Sequence, residues 1–254
     1  PVFGNPKKSD LQPYKGAIML NGIDVSHRQG IIDWQKVKDK GVVFAFIRAT
    51  YGVTKDRQFA RNWTEAKRVG IYRSAYGWVI DKMNQINNAA IFWDQIKNDP
   101  GEIPPAVDFE SFGASKPGFS ALQLYITEVE RRCKRMPILY TSGGYWRQFR
   151  EHKAQAWIKD YPLWIAHWTT LDQPTLPPPF DKWVFWQWIG DANQVGKEYG
   201  MESKAVDFDR FNGDINDFKN FIGGAIPQPP EHSGTIEQRL AKLESWAKTQ
   251  GYNP

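Results

Sequence analysis

Eight short apolar segments recur along the chain: Met19–Val25, Val43–Ala49, Ile71–Tyr76, Ala106–Phe109, Ile138–Tyr140, Leu163–His167, Val184–Trp188 and Val206–Phe208. Rich in Val, Ile and aromatic residues, they predict strands. Between the early ones the apolar period changes to that of a helix. Trp34–Lys40 stops at Gly41 and Arg57–Val69 at Gly70, glycines suited to the left-handed position after a helix. Asn84–Asn98 stops before Pro100, and Ser120–Arg135 carries Leu122, Ile126, Val129 and Cys133 as one stripe. Strand, helix, strand at this spacing predicts parallel βαβ units, and eight of them an irregular, TIM-like α/β barrel. The pattern thins towards the end. The TLPPPF stretch between Trp168 and Val184 cannot hold a regular helix, and the connection IGDANQVGKEYGMESK is short and polar, so the final strands are expected to lack full outer helices.

This reading divides the chain into a barrel over 1–222 with a polar lead at 1–18, a Pro- and Gly-rich linker at 223–234, and one C-terminal helix at 235–254. In that last segment Thr235 and Gln238 make a capping box, and Ile236, Leu240, Leu243 and Ala247 line one face. Docking back on the barrel, self-association and attachment to a larger particle are its open roles.

Composition narrows the chemistry. The 254 residues are 41 % hydrophobic, enough for one large core, and no apolar run is long enough for a membrane span. Neither insertion into a membrane nor a signal segment is expected. One cysteine, Cys133, forbids an internal disulfide and a thiolate zinc cluster, and it reads as a small buried hydrophobe on a helix. Four histidines lack ligand spacing, so neither a metal nor another cofactor is expected. The net charge of +5 is not gathered into a basic run, and no nucleic-acid partner is expected. The 12 Trp, 10 Tyr and 15 Phe are more telling, because rings beside carboxylates are what a sugar-binding cleft needs.

The carboxylates are placed accordingly. Asp24 in GIDVSH, Asp108 and Glu110 in PPAVDFE, and Asp207 in AVDFD each stand at the end of a predicted strand. If the strands are parallel, those ends meet at one face of the barrel. Asp108 and Glu110, two apart, point to the same side of an extended strand, with Cα atoms roughly 6.5 Å apart. Like charges so close raise one pKa, giving a protonated acid beside an ionised partner, the division of labour that glycoside hydrolysis requires. Acids that merely cap loops at strand ends give the same local pattern. A glycan-binding barrel without catalysis and a divalent-metal phosphodiesterase held by the same four acids are the competing functions.

Taken in order, GIDVSHRQGIIDW at Gly22–Trp34, VVFAFIRAT at Val42–Thr50, AKRVGIYRSAY ending at Tyr76, PPAVDFE at Pro104–Glu110, PILYTS at Pro137–Ser142, PLWIAHW at Pro162–Trp168, WVFWQW at Trp183–Trp188 and AVDFDRFNG at Ala205–Gly213 resemble the family 25 glycoside hydrolases, the Chalaropsis-type lysozymes of fungi, bacteria and phage. The resemblance covers about Asn21 to Ile222. It implies a β/α barrel and N-acetylmuramidase activity on peptidoglycan glycan strands, by a phage-encoded or secreted enzyme. By motif position Glu110 becomes the general acid. Asp108 becomes the carboxylate that stabilises the charged intermediate, directly or through the substrate's acetamido group, with Asp24 and Asp207 completing the acidic base. Tyr76, Tyr140, Trp164, Trp186 and Gln187 are implied to line the cleft. Arg48 reads as a structural ion-pair residue, and the charge of Asp209, where the family often has Asn, as without a chemical role. Arg28 stands where the family often has Trp, Tyr51 where Glu is frequent, and Gly77 where His is common.

Overall fold

The computed structural model describes residues 19–149, 156–192 and 194–223, together with Gln238, Ala241 and Ser245, which are helical and exposed. The expected C-terminal helix and nearly all of the linker before it otherwise lie outside the described residues, as does the polar lead.

Nine strands form one sheet. They are β1 (Leu20–Val25), β2 (Phe44–Tyr51), β3 (Thr54–Lys55), β4 (Tyr72–Trp78), β5 (Ala106–Asp108), β6 (Ile138–Ser142), β7 (Leu163–Ala166), β8 (Phe185–Ile189) and β9 (Asp207–Phe211). Pairing runs β1-β9-β8-β7-β6-β5-β4-β2, and β1 also pairs with β2, so eight strands close on themselves and β3 is a hairpin extension of β2. The expected eight-stranded barrel is therefore present. Its helices are α1 (Trp34–Asp39), α2 (Phe59–Arg68), α3 (Gln85–Ile96), α4 (Phe119–Cys133), the single turn α5 (Gly143–Trp146) and α6 (Ile215–Gly223). No α-helix stands among the described residues between β7 and β8 or between β8 and β9, as the proline-rich and polar connections predict.

One strand departs from the all-parallel expectation. β9 is antiparallel to both β8 and β1. The connection from β8 has no crossover helix, only the 3-10 turn Gly196–Tyr199, and a chain that stays at one end of a sheet must re-enter it in the opposite sense. Asp207 is thus the first residue of its strand rather than near the last. It still arrives at the face where β1 and β5 end.

The barrel interior is layered. Phe44, Phe185 and Phe211 fill the lower end, where Phe218 of α6 closes the opening, fully buried and 5.7 Å from Phe44 between ring centroids. Gly22 faces this layer, and a Cβ there would stand 2.2 Å from the Phe44 ring. Above lie Phe46 and Trp164, stacked at 3.8 Å, with Tyr140 and Tyr76 against Trp164. Acids occupy the layer above that. Outside the strands a larger apolar cluster packs α1 to α4 on the barrel. Gly77 faces it, and a Cβ there would meet the Tyr125 hydroxyl at 2.2 Å, so the helix layer leaves no room for a side chain such as histidine. Cys133 ends α4 half-buried, its thiol pushed up to about 11 by burial. None of the described helices is long and apolar enough to cross a membrane.

Candidate active site

Strand alternation delivers the acids. In β5 and its continuation Phe109 turns outward, fully buried against Tyr145, Trp146 and Phe149, so Asp108 and Glu110 both turn inward. Asp24 and Asp207 stand opposite each other across the β1–β9 pair. All four line one cleft of about 440 Å³ at the upper end of the barrel. Asp209 is buried just below. The sequence thus brought its four acids to one place, three by strands running up and one by a strand running down.

Burial and mutual repulsion act on these carboxyls together. Glu110 is raised to about 7, chiefly by burial and then by Asp207. Asp108 is raised well above the ordinary carboxylate range by burial, then by Glu110 and Asp24, while Arg48 works in the opposite direction. Asp24, Asp207 and Asp209 are raised too, burial first in each case, and Asp24 and its acidic neighbours raise one another further. These carboxyls cannot all ionise near neutrality, so the cluster stores protons. One oxygen of Asp108, Oδ1, is buried with no hydrogen-bond partner among the described residues.

Hydrogen bonds fix the surrounding groups. The Trp168 Nε1–H and the Tyr140 hydroxyl both donate to Gln187 Oε1 at 3.1 Å. Because an indole N–H only donates, the amide orientation is determined, and Gln187 Nε2 donates to Asp24 Oδ2 at 2.8 Å. Trp164 Nε1 donates to Asp209 Oδ1 at 2.8 Å from the floor. Burial and the neighbouring acids raise the phenols of Tyr76 and Tyr140, keeping both neutral.

Beside Asp108 stands a buried ion pair. Arg48 Nε donates to Asp56 Oδ2 at 3.0 Å, and His27 Nδ1 lies 2.9 Å from the same oxygen. Although burial works against it, hydrogen bonds from the His27 and Gln58 backbones and from His27, with the Arg48 charge, hold Asp56 below the ordinary range. Arg48 is therefore an ion-pair residue, as its sequence suggests, and it also lines the cleft.

Tyr76, Tyr140, Trp164 and Gln187 stand in the cleft wall and floor. Trp186 does not line it. It alternates with Gln187 on β8, is fully buried in the apolar cluster outside the barrel against Trp183, and donates to the His167 carbonyl at 2.8 Å. In WVFWQW every second residue faces inward, and the inward set is Phe185 and Gln187. Sequence reasoning passed over Tyr51, Trp78, Phe112, Trp168 and Asp191, which also line the cleft. Trp78 follows Tyr76 by two on β4, a signal the alternation offered. Tyr51 was hidden by a bulge between Arg48 and Thr50 that resets the alternation on β2.

A closed barrel whose open end holds paired carboxyls of raised pKa among aromatic rings has the build of a glycoside hydrolase. Comparison with known proteins agrees. The sequence model of Glycosyl hydrolases family 25 matches residues 23–197, and the chain belongs to that family. Lysozyme M1 of Streptomyces globisporus is 33% identical over 207 residues, which are 76% of this chain and 68% of that protein. The structure of the bacterial lysozyme from Streptomyces coelicolor superposes with a TM-score of 0.68 at 29% identity, covering 80% of this chain and 96% of that one. A family 25 glycosyl hydrolase from Bacillus anthracis gives 0.65 at 26% identity, over 80% and 93% of the two chains.

Proposed function

We infer that the protein is a lysozyme, an N-acetylmuramidase that hydrolyses the β-1,4 bond from N-acetylmuramic acid to N-acetylglucosamine in bacterial peptidoglycan. The observation that carries this reading is the Asp108–Glu110 pair: two inward carboxyls where β5 ends, one raised to about 7 and the other with an unpartnered buried oxygen. Glu110, raised to about 7 and so holding its proton below that pH, donates it to the glycosidic oxygen as the bond breaks. Asp108 supports the positive charge that develops on the sugar, either directly or by orienting the substrate's acetamido oxygen towards the anomeric carbon. Asp24, held by Gln187, and Asp207 surround the reacting sugar, and Tyr76, Tyr140 and Trp164 give it an apolar floor.

The enzyme is incubated with purified peptidoglycan in EDTA, beside Glu110→Gln, and the reduced products are analysed by mass spectrometry. Fragments ending in reduced N-acetylmuramic acid from the unaltered protein, with a loss of about 10³-fold or more in Glu110→Gln, are the expected result. Intact glycan from both moves the reading to a binding barrel, and activity abolished by EDTA moves it to metal-dependent chemistry. The site of action is the cell wall, reached by a phage-encoded or secreted enzyme. Self-association or particle attachment through 235–254 is a separate proposal, and an unchanged monomeric sedimentation mass before and after truncation at Ile222 refutes the self-association arm.

A further inference from the structure

Among the described residues, the basic side chains that line the cleft all stand on one side of it. On the β8–β9 side stand Asp191 and Asp207, both carboxylic. On the other side, where β1 and β5 end in Asp24 and the Asp108–Glu110 pair, stand Arg28 and Lys55 with the rings of Tyr51, Trp78 and Phe112. Those three rings pack edge to face or tilted, with centroids 5.2 to 6.2 Å apart, and Phe112 is 45% exposed. This is a partly solvated aromatic shelf, and nothing in the barrel's packing requires it to be open.

Arg28 is held on that shelf. It lies in the 3-10 turn His27–Gln29, whose capping box ties the Ser26 backbone to Gln29 Oε1 at 2.9 Å and the Arg28 backbone to Ser26 Oγ at 3.2 Å. Its guanidinium carbon sits 5.1 Å from the Phe112 ring centroid. A guanidinium seated over a ring uses its face in that contact, leaving the N–H edge for a planar anion. Among the described residues Arg28 makes no ion pair. The nearby Asp56 is taken by Arg48 and His27.

We propose that Arg28, seated on Phe112 at the rim of the cleft, forms a subsite for the carboxylate of an acidic saccharide and so fixes which way round the glycan lies in the cleft. This rests on the reading of the cleft as a glycan site. The sugar ring bearing the carboxylate lies on the aromatic shelf while its anion pairs with the guanidinium edge. The reversed orientation brings the same anion towards Asp191 and Asp207, where no Lys or Arg among the described residues lines the cleft to pair with it. In a peptidoglycan strand the carboxylate has two sources, the lactyl group of a peptide-free muramic acid and the carboxyls of an attached stem peptide.

The test measures binding rather than cleavage, so its outcome is separate from that of the muramidase assay. The full chain carrying Glu110→Gln is titrated with three oligosaccharides of equal length: a neutral chitin oligomer, a peptide-free peptidoglycan strand and the same strand with stem peptides. At low salt, at least one carboxylate-bearing strand is expected to bind about tenfold more tightly than chitin. That ratio collapses towards one on adding Arg28→Gln, survives in part with Arg28→Lys, and shrinks as salt rises from about 0.05 to 0.5 M. Which strand shows the Arg28-dependent preference identifies the source of the carboxylate. A ratio unchanged by Arg28→Gln, no preference in the parent, or no binding of any oligomer overturns the proposal.

Discussion

Asp209 has a carboxyl where an amide of the same shape would accept the Trp164 hydrogen bond equally well. Its pKa is raised by burial and its neighbours, so its contribution to stability is full below the unfolded carboxylate pKa and is lost as pH rises through the folded one. Asp209→Asn escapes that loss. Calorimetry should find its melting temperature higher at pH 7, by roughly 2–4 °C for each kcal/mol recovered, with the gain shrinking towards pH 4. Glu110 makes the complementary prediction for rate. A general acid must hold its proton, so kcat/KM should fall as pH rises through about 7. Since Asp207 helps to raise Glu110, Asp207→Asn should move that alkaline limb to lower pH, whatever it does to the maximal rate, and a pH–rate profile reads the shift. The four acids were legible because each adjoins an apolar run whose direction the sequence betrays. Phe112 and Trp168 were not singled out, because loop residues carry no periodicity to say which way they face. Trp186 was misplaced because, in a run of large apolar residues, both faces of a strand look alike.

At the level of elements, the barrel's early half could be read from its alternating strands and helices, and its later half from what those connections lacked. The reversal of β9 had no such signal. A short strand of the type VDFDRF has the same alternation in either direction, and only the absence of a crossover decides the sense. α6 also went unread, although Ile215, Phe218 and Ile222 recur at helical spacing. In the structure it is the plug of the barrel, with Phe218 between Phe44, Phe211 and Tyr72. Phe218→Ala should cost about 3–5 kcal/mol of stability, measured by denaturant unfolding. The specific activity of the protein that remains folded should change little, because α6 is separated from the acids by the aromatic layer. A large loss of activity at full folding would show that the layers are mechanically coupled.

Across the whole molecule, the barrel has a lower end of packed phenylalanines and an upper end of shared protons, with a middle layer of rings between them. Proton-storing acids resist close packing and phenylalanines require it, so the two ends meet opposite physical demands without competing for the same space. Because β9 runs downwards, the chain leaves the barrel beneath it, through α6, and it also enters there, at the foot of β1. A protein fixed to a solid support by either of those points should stand with its mouth outward. Molecules tethered through a cysteine placed at Gly223, the last residue of α6, should keep reducing-end release within about twofold of the free enzyme, whereas tethering through a cysteine placed at Thr54 on the rim should silence it. That difference would come from orientation alone, with the same residues in the same barrel.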